Sequence, residues 1–157
     1  MHIPQTSFIM KTIFDQATRN ELIGRINTLQ ENSKPQWGKM NINQMLKHCT
    51  IYDEAILGKR KFKRVFIGRL FGKMALKEMI KDDSPVRRNM PTLTELRVTE
   101  SDYDVATEKA KWISLIQEYA HFANPNFVHG FIGKMTEEQI GLLSYKHIDH
   151  HLRQFGG

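Results

Sequence analysis

Apolar side chains recur every three or four positions over most of this chain, the spacing of amphipathic helices. Phe8, Ile13, Phe14, Ala17, Leu22, Ile26 and Leu29 mark a first helix from Ser7 to about Gln30, with Arg19, Glu21 and Arg25 on its other faces. Asn32-Ser33-Lys34-Pro35 ends it with turn chemistry, and a loop carrying Trp37 follows. Asn41 or Asn43 caps a second helix that runs to about Leu57, with Met45, His48, Tyr52 and Ile56 as its stripe. A short amphipathic helix is expected from about Lys63 to Ile80, where Val65, Phe66, Leu70, Phe71 and Met74 are interleaved with cations. Asp82 to about Glu100, with Pro85 and Pro91, reads as an extended crossover running along the other helices and lining an entrance to whatever they enclose. Ser101-Asp102 opens a further helix to about Phe122, buried through Val105, Trp112, Ile113, Ile116, Tyr119 and Ala120 and stopped by Asn124-Pro125-Asn126. After a glycine-bearing loop, Thr136 and Gln139 form a capping box. The last helix then runs from Glu137 to about Phe155 on a stripe of Ile140, Leu143, His147, His151 and Phe155.

Composition narrows the class. A chain of 157 residues with 40% hydrophobic and 25% charged content is long enough for one globular domain with a real core. The single cysteine, Cys49, excludes an internal disulfide framework and suits a reducing compartment. No apolar run reaches the length of a membrane span, and Met1 to Ser7 lacks the basic start and apolar core of a signal peptide. The expectation is a soluble, cytoplasmic protein with no membrane partner. A net charge of +6 mildly favours anionic partners. Much of it lies in Lys59, Arg60, Lys61, Lys63, Arg64, Arg69 and Lys73, a stretch without an acid. That stretch reads first as a solvated helix face that caps one end of the helices, and second as a patch for phosphate, nucleic acid or an anionic cofactor.

The candidate chemistry lies in histidine. His147 and His151 are one helical turn apart on one face, the relation two ligands of a single ion need. They continue an apolar stripe, so they point inward, where an unpartnered imidazole is costly. His48 sits on an inward face of the second helix. Three histidines on facing helices can build a metal site in a helical core with positions left open for water or substrate. Such an ion would lower the pKa of a water or thiol bound to it. His150 lies about 100° round the helix from His151 and reads as a surface or outlying group. His129 and His121 read as loop-packing or exposed. Asp149 points away from the histidine face, Cys49 reads as a small buried hydrophobe, and Tyr52 and Glu54 are weaker candidates for supporting or acid–base roles.

With these residues in place, the whole chain resembles the DinB-like superfamily of small helical-bundle metalloproteins, which includes the YfiT-like proteins. The resemblance rests on the order of helices, on Gly133-Lys134-Met135-Thr136 before the last helix, and on Tyr145-Lys146-His147-Ile148-Asp149-His150-His151-Leu152-Arg153-Gln154-Phe155-Gly156. It is nearest to a bacterial branch of unknown function. The resemblance implies an all-α, up-down-down-up four-helix bundle with a long crossover between helices two and three. It implies a metal triad of His48, His147 and His151, an ion of nickel or zinc with iron or manganese as further choices, and pairing as a homodimer. Some relatives are transferases or isomerases that use a low-molecular-weight thiol. The leading expectation is thus a metal-dependent enzyme, a thiol-dependent transferase or a hydrolase acting on a small molecule. The alternative is a non-catalytic metal-binding or stress-response protein, and a nucleic-acid module ranks last.

Overall fold

The computed structural model describes residues 9–157; Ser7 and Phe8, predicted to open the first helix, lie outside them. The chain is mostly helical, with five α-helices and one small hairpin among the described residues. These are α1 (Gln16–Thr28), α2 (Ile42–Ile56), α3 (Phe66–Met79), α4 (Val105–Glu118) and α5 (Glu137–Gln154). The hairpin pairs β1 (Val128–His129) with β2 (Gly133–Lys134), antiparallel, with His129 opposite Gly133. The hairpin was not expected. Its Gly133 takes a positive φ of 88°, which suits glycine.

α1 starts nine residues later than the periodicity predicts. Ile13 is fully buried, as its place in the stripe requires, but on a turn rather than in a helix. Its N–H donates to the Gly141 carbonyl of α5. The Arg19 guanidinium donates to the Ile13 and Phe14 carbonyls at 3.0 and 2.6 Å, so Arg19 is buried and not on an outer face. The backbone groups that would extend α1 are spent on other partners. Elsewhere the capping chemistry sets the ends. Asn41 and Gln44 form a reciprocal capping box on α2, and Thr136 and Gln139 do the same on α5. On α4 the Asp104 carboxylate accepts from Thr107 N–H, which delays the start from Ser101 to Val105. A 3-10 turn, Tyr119–His121, completes that helix, and His121 is exposed as expected.

α2 packs on α4 and α5, and α1 packs on the same two helices. Leu22, Ile26, Met45, Leu46, Trp112 and Ile140 are fully buried between them. α5 is buried almost all round. The Lys146 ammonium reaches the crossover carbonyls of Asp82 and Ser84, and Asp149 accepts from Arg25 and Arg153 at 2.7 Å each. The crossover, regular only at a 3-10 turn (Thr94–Leu96), lies against α2.

α3 packs on α5 and the hairpin through Gly68 and Gly72. A Cβ on Gly72 would stand 2.4 Å from the Phe131 carbonyl oxygen and 2.8 Å from Ile132 Cα, both backbone atoms. Gly72→Ala must therefore push α3 off the hairpin. The expected cost is about 1–3 kcal/mol in urea denaturation. Gly24→Ala on α1, where no atom lies within 4 Å, is the control and should be neutral or stabilising.

Candidate metal centre

Helical register carries the site. His48 is on the inner stripe of α2, and His147 and His151 are one turn apart on α5 where it faces α2. The structure brings these three together. One ligand nitrogen from each lies within 4.8 Å of the others, an arrangement that could hold a metal ion. His48 Nε2 and His147 Nε2 are 3.1 Å apart. An ion bound at about 2.0–2.1 Å holds two imidazole nitrogens roughly 2.9–3.4 Å apart, so this spacing suits a shared ion.

Two of the three rings are oriented from behind. His48 Nδ1 lies 2.9 Å from the Leu96 carbonyl, which can only accept, so Nδ1 carries the proton and Nε2 is bare. His151 Nδ1 lies 2.9 Å from Gln154 Oε1. That amide is set by its own Nε2, which donates to the Trp37 carbonyl at 3.0 Å, so the oxygen must face His151. Both rings thus present a bare Nε2, with the other nitrogen donating outward as metal-bound imidazoles do. His147 differs. Its Nδ1 is buried and has no hydrogen-bond partner among the described residues. The Tyr52 ring lies flat against it at 3.7 Å. Without a cation, either a proton sits between His48 Nε2 and His147 Nε2 or two lone pairs face each other; a shared ion satisfies both nitrogens. Burial, and then the neighbouring imidazoles, hold His147 and His151 well below the ordinary histidine range; burial does the same to His48 more weakly. All three are neutral and able to donate lone pairs at ordinary pH.

The triad opens into a cavity of about 570 Å³. Its walls are mainly apolar, with Met40, Val65, Ile67, Met79, Leu93 and Phe131 among them, and Lys39 is the one charged side chain apart from histidine among the described residues. The crossover supplies Val86, the run from Asn89 to Thr94, and Leu96, as the sequence suggests for so long a segment. Two histidines outside the triad also line it. His129 is half-buried and packs its own loop, one of the two alternatives the sequence left open; its Nδ1 accepts from the Phe131 and Ile132 N–H groups at 3.1 Å, which leaves Nε2 as the ring's donor. Burial, with Arg64 nearby, pushes its pKa down to about 4. His150 is half-buried against Trp37, ring centroids 5.6 Å apart.

Other candidates fall elsewhere. Glu54 pairs with Lys111 and Arg60 away from the cavity, so it has no part in the site. Tyr52 is a wall, and burial raises its phenol far above the usual range, which removes it as an acid or base near neutral pH. Cys49 is fully buried, its Sγ 3.7 Å from Met45 Sδ, and burial raises its thiol pKa. None of the cations from Lys59 to Lys73 lines the cavity. Two of them are spent on the hairpin, where Arg64 donates to the Gly130 and Phe131 carbonyls and Lys73 to the Lys134 carbonyl.

A family model described as "Protein of unknown function (DUF1569)" matches residues 11–156. The chain belongs to the DUF1569 family. That match spans all five helices and the whole site, so the histidine cluster lies within the DUF1569 domain itself. No curated protein and no solved structure matches the chain. Among the described residues no helix of this DUF1569 domain is long and apolar enough to cross a membrane.

Proposed function

We propose that this protein is a metal-dependent enzyme, with the DinB-like bundle of α1, α2, α4 and α5 holding a divalent transition ion between His48, His147 and His151. Nickel or zinc is the first choice, since imidazole suits both, and iron or manganese the second. The observation that carries the reading is the placing of three neutral, inward-aimed imidazoles at the wall of a large apolar cavity. A structural zinc site is normally closed by four protein ligands, commonly cysteines. Here the triad faces open space, and the one cysteine is turned into the core.

When bound, the ion would supply Lewis acidity and depress the pKa of a water or thiol in an open position. The chain's own groups do the rest. Leu96 and Gln154 fix two imidazoles, Tyr52 holds the third by stacking, and the apolar walls exclude water. His129, neutral with its Nε2 proton, is a hydrogen-bond donor to the substrate. The wall chemistry selects a small, mostly apolar molecule with one donor atom for the ion. It does not favour a highly charged thiol cofactor, since Lys39 alone could meet its carboxylates. Hydrolysis or group transfer from such a molecule is the reaction class.

Elemental analysis of untagged protein, purified without chelators, tests the reading. The expected result is close to one ion per chain, with cobalt substitution giving the visible spectrum of a low-coordinate nitrogen site. Metal-free protein that takes up none of nickel, zinc, iron or manganese would overturn it.

A further inference from the structure

α3 has two faces with different tasks. Gly68, Gly72 and Leu76 are buried, and Ala75 and Met79 form part of the cavity wall, with Ile67 at the boundary between the two faces. The outer face is apolar and uncovered: Phe66 is 73% exposed, Leu70 63% and Met74 62%, with Ile67 and Phe71 about half exposed beside them. Phe66, Leu70 and Met74 make one row at four-residue steps, and Ile67 and Phe71 a second. Arg69 and Lys77 lie along the edge of the first, both exposed, with Lys73 between them donating to the Lys134 carbonyl. Neither Arg69 nor Lys77 has a carboxylate partner among the described residues, and Lys61 and Lys63 extend the basic edge beyond the helix start.

A contiguous apolar face of this kind marks a contact surface. Its rim decides what the contact is. A second copy of this chain would bring the same cations to a face already rimmed with them, on a protein of net charge +6. An anionic lipid surface supplies what both halves of the face need: acyl chains for Phe66, Leu70 and Met74, and phosphate for the basic edge. We propose that the outer face of α3 docks on an anionic bilayer. This revises the expectation of no membrane partner; the helix lies in the interface and spans nothing. Because the inner face of the same helix walls the apolar cavity, docking sets that cavity next to the lipid, where apolar substrates concentrate. That last point rests on the enzyme reading, whereas the docking does not.

Co-sedimentation of the full chain with extruded vesicles tests the proposal. Vesicles of phosphatidylcholine with about 30% phosphatidylglycerol should bind it, with affinity falling as salt rises, and pure phosphatidylcholine vesicles should bind it far less. Leu70→Glu and Met74→Glu should each weaken binding at least about tenfold, because each removes an apolar side chain from the contact and adds repulsion. Arg69→Glu should lower binding to the anionic vesicles alone. These side chains are exposed, so circular dichroism and metal content should stay at the parent values. His147→Ala should bind vesicles normally, which separates failure of docking from failure of the metal site. Absence of vesicle binding, or binding that ignores phosphatidylglycerol, would overturn the proposal. So would a solution dimer that Leu70→Glu converts to monomer without any vesicle association, since the face would then be a contact between copies.

Discussion

Alanine in place of His147 is expected to lower metal affinity by more than about a hundredfold and leave the helical content intact. Removing a protein ligand must cost more than removing the group behind it, and loss of such a supporting hydrogen bond typically costs about 10–100-fold. Gln154→Leu supplies that smaller step. It frees His151 Nδ1 and breaks the link to the Trp37 carbonyl, but leaves all three imidazoles. His150→Ala, which removes a wall residue and no triad member, should change affinity least. Competition against a chromophoric chelator would rank the variants. The order His147, then Gln154, then His150 is specific to the triad geometry, and full metal retention by His147→Ala would remove it. His48→Ala should match His147→Ala, since their Nε2 atoms face each other at 3.1 Å. Any fold-wide effect is checked by the ellipticity of each variant, because α5 keeps its capping box and its Asp149 links whichever histidine is lost.

The inward aim of the three histidines was legible in the sequence because helical periodicity writes it directly, while their meeting as a triad was what the family resemblance implied. His147 and His151 extend the row begun by Ile140 and Leu143, and His48 extends the row of Met45 and Tyr52. The cavity was not legible. It is made by α3, the crossover and the hairpin, whose placement depends on tertiary contacts between segments distant in sequence, such as Gly72 against Phe131. His129 shows the difference. Its part in the wall comes from a hairpin whose strands are two residues each, too short for any alternating pattern to appear. The early start given to α1 failed for a related reason: Ile13 has the spacing of a helical core residue, but its N–H is taken by Gly141 of α5. The outward apolar face of α3 carries a further lesson. Periodicity marks an amphipathic helix without saying which side meets the protein, and here glycines form the inner contact while phenylalanine and leucine lie exposed on the outer face.

Asp53 was missed altogether, although a signal exists: Ile42, Leu46, Cys49, Asp53 and Ile56 step by four, three, four and three, so the acid continues an apolar row. It is fully buried on α2, where Trp112 Nε1–H donates to one carboxyl oxygen at 2.8 Å and the Tyr119 hydroxyl to the other at 2.7 Å. Burial outweighs both donors and pushes its pKa from 3.8 to about 7. The folded protein therefore holds this proton more tightly than the unfolded chain does. Its contribution is fully present below about pH 4 and is lost as pH rises through about 7, which amounts to a few kcal/mol at most. Asp53→Asn keeps the shape and removes the ionisation. Its stability relative to the parent should rise steadily between pH 5 and pH 8 in urea denaturation, and parallel curves for the two proteins would contradict this. Asp53→Ala adds a second effect by leaving the Trp112 and Tyr119 donors buried without an acceptor, at roughly 1–3 kcal/mol each. Its loss should be greatest near pH 5, where the parent carries no buried charge, and should shrink towards pH 8. A carboxyl held this way joins α2 to α4 by two hydrogen bonds, on a side of α2 away from the three imidazoles. Both variants should consequently keep their metal, so that a change in stability here and a change in metal content at His147 report on two different contacts of α2, one with α4 and one with α5.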